Sequence, residues 1–189
     1  MSEQALGDRG RALEDAFFAQ QNEALRQRLR DAGSAQERKA AFAAASGITD
    51  AAVLDRLAAL NIGSDTLAAL SLVPVVMVAW ADGGIDDKER AAALYAAAEA
   101  GLDRQGASYQ LLEQWLAKRP SPDLLATWKD YMRAVSAGMG AKAKETLRSQ
   151  LLGRARGVAE AAGGFMGLGN KVSAAEQAVL DDLAAAIPA

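Results

Sequence analysis

Asp82, Asp86, Asp87 and Glu89 place four carboxylates within eight positions, in the run Trp80-Ala-Asp82-Gly83-Gly84-Ile85-Asp86-Asp87-Lys88-Glu89. Oxygen donors at this density are what hard divalent cations take. The 189-residue chain has no cysteine and no histidine, so thiolate and imidazole ligands are excluded. Any metal must be held by oxygen, which favours calcium, magnesium or manganese. The same two absences remove disulfides, thiolate nucleophiles and the commonest general base. No paired nucleophile and base is visible among the serines, lysines and tyrosines. The expectation is a protein that is not an enzyme and uses no organic cofactor.

Two readings of the acidic run stay open. Asp82 to Glu89 matches the second half of an EF-hand loop, with Gly83 at the sharp turn, Ile85 at the apolar position and Glu89 at the last ligand position. The first half is missing: Val78 and Trp80 stand where oxygen ligands belong. An ordinary EF-hand is excluded. A cation could still be held by Asp82, Asp86 and Glu89 with backbone carbonyls and water. The other reading is structural. Asp86 and Glu89 have the spacing of a reciprocal capping box, and Asp82 would accept bonds from amides of the same helix. A carboxylate at a helix C-terminus opposes the macrodipole, so Asp82 needs some such partner.

The elements that position these residues are all helical. Alanine is the commonest residue and the best helix former, hydrophobic residues make up 51% of the chain, and prolines number only four. The spacing of Leu6, Leu13, Phe17, Leu25 and Leu29 predicts an amphipathic helix over Leu6 to Arg30, ended by Gly33. Ser34-Ala-Gln-Glu37 has the form of a capping box opening a second helix, closed by Gly47. Thr49 starts a third, with Val53, Leu54, Leu57 and Leu60 inward. Leu67 to Ala81 is the most apolar stretch, and Pro74 should kink it or divide it near Val73. Further helices are expected from Asp86 to about Ala100, Tyr109 to Lys118, Ser121 to Gly138, Lys142 to Ala162, and Ser173 to about Ala186. About nine helices joined by short loops make an all-α multi-helix bundle.

The run Val75-Val-Met-Val-Ala-Trp80-Ala-Asp82-Gly83-Gly-Ile85-Asp-Asp-Lys-Glu89-Arg-Ala-Ala, followed by Ala98-Glu-Ala-Gly-Leu102, resembles the core motif of TerB-like proteins, the tellurite-resistance TerB superfamily. Val172-Ser173-Ala-Ala-Glu176-Gln-Ala-Val-Leu180 resembles a second copy. The resemblance covers roughly residues 64–189. It implies an all-helical fold of pseudo-repeated hairpins and a non-enzymatic cytoplasmic role in bacterial stress response, with metal binding and membrane-associated complexes. On matching positions it implies Asp82, Asp86 and Glu89 as metal ligands, with Glu176 in the second copy. The second copy departs from the pattern, having Ala162-Gly163-Gly164 in place of an aspartate-glycine pair. Residues 1–63 lie outside the motif, as an N-terminal helical extension or as part of one globule.

The remaining features bear on partners. A net charge of −3 argues against nucleic acid. The N-terminus lacks the basic-then-apolar pattern of a signal peptide. Leu67 to Ala81 spans about 15 residues with Ser71 and Pro74 inside it, short of the roughly 20 a membrane span needs. Protein partners are expected, with self-association through the Leu6 to Arg30 helix. Lys142, Lys144, Arg148, Arg154 and Arg156 make a basic helix that could meet anionic lipid peripherally; a charged solvent face is the plainer reading. Gly163 to Lys171 is rich in glycine but lacks the strand, lysine and hydroxyl spacing of a phosphate loop.

Overall fold

The computed structural model describes residues 33–162 and 172–187. The chain divides into two compact units, Met1–Ala40 and Ala41–Ala189. The described part of the first unit is helix, since residues 33–46 are helical (α1). The helix expected over Leu6 to Arg30, and the glycine-rich run from Gly163 to Lys171, lie outside the described residues. In the second unit α1 ends at Gly47, whose φ of 73° suits glycine alone without strain.

The elements that follow are α2 (Ala51–Ala59), a 3-10 segment (Leu67–Leu72), α3 (Val73–Ala79), α4 (Asp87–Glu99), α5 (Ala107–Ala117), α6 (Asp123–Ala137), α7 (Ala141–Ala162) and α8 (Ala174–Ala185). The fold is all-α, and no strand occurs among the described residues.

Pro74 divides the apolar stretch as its chemistry requires. A proline fits the first helical turn, where its missing N–H is not needed, and Val73 before it already has the α conformation. The chain runs as a 3-10 segment to Leu72 and becomes α-helical at Val73. Two other starts differ from expectation. Gly33 and Ser34 already lie within α1, so Ser34 is not a cap there. The cap of α2 is Asp50, not Thr49: its carboxylate accepts from the amides of Ala52 and Val53 at 2.9 and 3.2 Å.

The core is organised around α3. Val73, Pro74, Val75, Val76, Val78 and Ala79 are all buried. This short rod packs on α7, α8, α4, α6 and α5 and on the 3-10 segment before it. The helix α7 also packs on α4 and α8. The ring of Trp128, fully buried on α6, donates its indole N–H to the carbonyl of Leu70 at 2.9 Å. Phe42, Ile48, Val53, Leu57 and Ile62 join the same core. Residues 41–62 therefore pack into the same globule as the helices that follow them. Asp130 pairs with both Arg56 and Arg133, tying α2 to α6.

Candidate functional site: the acidic elbow between α3 and α4

The elbow is built between two helix ends. The last α-helical residue of α3 is Ala79, and the amide of Trp80 closes the final turn on Val76 at 3.1 Å. The chain then turns through Trp80, Ala81 and Asp82, so the helix stops earlier than the Gly83-Gly84 pair suggested. Gly83 takes a φ of 102°, a conformation that L side chains rarely adopt. Asp82 is exposed, and its Oδ1 accepts from the amide of Gly84 at 3.3 Å. Its partner is thus in the loop and not in the next helix. Standing beyond the helix end and in water, Asp82 opposes little of the α3 dipole.

Asp86 and Glu89 form the expected reciprocal cap. Oδ1 of Asp86 accepts from the amides of Lys88 and Glu89, each at 2.8 Å. Oε2 of Glu89 accepts from the amide of Asp86 at 2.8 Å. The same device opens α8, where Ser173 Oγ accepts from the Glu176 amide at 3.2 Å and Glu176 Oε2 accepts from the Ser173 amide at 2.6 Å. Both glutamates are buried, at 5% and 6% exposure. Burying a carboxylate is costly unless hydrogen bonds replace water, and these amides do so.

Burial pushes the Glu89 carboxyl above the ordinary glutamate range. The Asp86 amide bond opposes that shift, and the nearby charges of Asp86, Asp82 and Glu176 add to it. The two capping glutamates, far apart in the chain, therefore lie within electrostatic reach of each other. Asp82, Asp86, Glu89 and Glu176 share one neighbourhood. Asp87 is exposed in the first turn of α4, where its charge favours the helix.

Two residues flanking the elbow fasten it to α5, and nothing local in the sequence signalled this. The indole N–H of Trp80 donates to the carbonyl of Trp115 at 2.8 Å. The guanidinium of Arg90 donates to the carbonyl of Leu116 at 2.7 Å. These are carbonyls of the last turn of α5, which lack partners within their own helix. The elbow is thus stapled at both ends to one helix terminus.

Asp82, Asp86, Glu89 and Glu176 are engaged locally. Each already accepts from main-chain amides of its own turn. Among the described residues no group of three or more acidic side chains is placed to hold a metal ion. Nor does any buried side-chain nitrogen or oxygen among them lack a hydrogen-bond partner.

The basic residues of α7 are partly engaged. Arg148 donates to the carbonyl of Ile187 beyond the end of α8 at 3.4 Å, and Arg156 reaches the Gln177 side chain at 3.5 Å. Lys142 is exposed. No helix among the described residues is long and apolar enough to cross a membrane. No protein family matches this chain, and no curated protein or solved structure is significantly similar to it.

Proposed function

We propose that this protein acts by binding and not by catalysis, as a TerB-like helical interaction module in bacterial stress response. The reading takes the hairpins α3–α4 and α7–α8 as two copies of one design. Their matched capping boxes support it. So does the cross-packing, in which α3 packs on both α7 and α8, and α7 on both α3 and α4. The observation that carries the reading is the state of the elbow carboxylates. The oxygens of Asp86, Glu89 and Glu176 hold main-chain amides at the starts of two helices, so these acids serve as a joint and the helix faces are left to meet partners. A cytoplasmic setting and contact with a membrane through α7 belong to the same proposal.

A second reading is favoured by one specific observation. The charges of Asp82, Asp86 and Glu176 all bear on Glu89, and a divalent cation would relieve that repulsion. Calcium, magnesium or manganese would be bound by Asp82, Asp86, Glu89 and Glu176 with water, after the glutamates turned from their amides. Titration with each cation separates the two readings. The module reading expects no change in melting temperature and no change in the amide spectrum over residues 82–89. A saturable shift in both would replace it with the cation reading.

A further inference from the structure

A groove of about 940 Å³ runs along the outer face of α4 and α7. One wall carries Lys88, Ala92, Tyr95 and Glu99, and the other Gly153 and Gly157. Tyr95 is 66% exposed and is the large hydrophobic residue that stands out to solvent among the described ones. Glu99, one turn on along the same face, lies near its hydroxyl. Glycine is the poorest helix former after proline, yet two glycines sit four apart inside α7. A Cβ at either would meet nothing within 4 Å, so packing within this unit does not demand them. They leave a shallow notch beside an unpartnered aromatic ring.

The charges say what fits. Lys88 and Glu99 stand at opposite ends of α4, about 16 Å apart along the axis, and Arg154 adds a second cation to the rim. A nucleic acid or a lipid surface would call for one sign of charge. Here the signs are mixed, and along α4 they are self-complementary. When α4 is laid antiparallel on a copy of itself, Lys88 comes opposite Glu99 and Ala92 opposite Tyr95. Each bulky or charged group meets a small or opposite one, as an isologous two-fold contact requires. The three-and-four spacing of Lys88, Ala92, Tyr95 and Glu99 keeps all four on one stripe.

We propose that this groove binds a second copy of the chain, α4 antiparallel to α4, with Lys88 facing the partner's Glu99 and Tyr95 seated over the partner's Gly153 and Gly157. The elbow carboxylates take no part. Sedimentation equilibrium of the full chain tests it, with a mass that rises from one chain to two as concentration increases. Lys88→Glu and Glu99→Lys each place like charges at two symmetric contacts and weaken the dimer about tenfold. The double exchange restores it. Both substitutions suit the α4 dipole, so loss of dimer is not loss of fold, which circular dichroism checks. Gly157→Leu fills the notch and abolishes association. A mass of one chain at every concentration overturns the proposal. So does a dimer whose dissociation constant none of these variants changes, since another surface then holds it. Cation titration of the same samples reads the elbow independently.

Discussion

Glu89 offers the sharpest test of whether the elbow acids are structural, because two substitutions separate its shape from its charge. Glu89→Ala removes a buried side chain that is 5% exposed and accepts from the Asp86 amide at 2.8 Å. The one methylene removed is worth about 0.8 kcal/mol, and the lost hydrogen bond about 1 kcal/mol. The expected cost is roughly 1.8 kcal/mol, reduced by whatever the buried charge was costing. Glu89→Gln keeps the stem and a carbonyl that can accept the same amide, and it discards only the charge. Its expected effect at pH 7 is near zero or stabilising. The pH profile adds a second readout. Burial, with the charges of Asp86, Asp82 and Glu176, lifts the folded carboxyl above its ordinary value of 4.5. Between those two values the folded chain binds more protons than the unfolded one. The stabilisation is therefore complete below 4.5 and is lost as pH rises through the raised value. The glutamine variant lacks that fall. Urea unfolding at a series of pH values, with the denaturant slope held constant, measures both. A glutamine variant as unstable as the alanine one, or one with the wild-type pH profile, would refute the reasoning.

Three further outcomes follow from the same geometry. Asp86→Ala removes the acceptor of two amides and should cost about 1–2 kcal/mol in chemical denaturation, while the neighbouring exposed Asp87→Ala should change little. Trp128→Phe deletes the indole bond to Leu70, whose carbonyl still accepts from the Val73 amide, and leaves a void where the fully buried larger ring stood; a loss of about 1–3 kcal/mol is expected from equilibrium unfolding. Gly83→Ala puts a side chain at a φ of 102°, and a lower melting temperature, equivalent to about 1–2 kcal/mol, is the expected readout.

The parts of the fold that depend on neighbouring residues could be read from the sequence. Asp86 with Glu89 and Ser173 with Glu176 are satisfied within three positions, so their spacing alone reports the caps. Pro74 suits the first turn of the helix it opens, and the 3-10 to α change falls at Leu72 and Val73. Ser34 shows the limit of such signals. A serine followed by glutamate at three residues permits a helix start but does not force one, and both Gly33 and Ser34 lie within α1. Asp82 was expected to bond the amides of the next helix. Because α3 ends at Ala79, the loop amide of Gly84 lies nearer. The staples from Trp80 and Arg90 to α5 were hidden, since they join residues 35 and 26 positions apart. Glu89 and Glu176 looked alike in sequence, but their shared neighbourhood comes from the packing of α3 on α8. Tyr95 gave no signal because one aromatic residue in an alanine-rich helix reads equally well as core.

The central rod of the molecule also constrains how the chain is made. Val73–Ala79 is only seven residues long, rich in valine, and too short to hold a helix in water by itself. Its main partner, α7, begins only at Ala141. As the polypeptide leaves the ribosome at roughly 5–20 residues per second, this sticky β-prone segment emerges seconds before the helix that covers it. Truncated nascent chains that stop before Ala141 should aggregate or recruit chaperones, whereas those that extend past Ala162 should begin to resist protease.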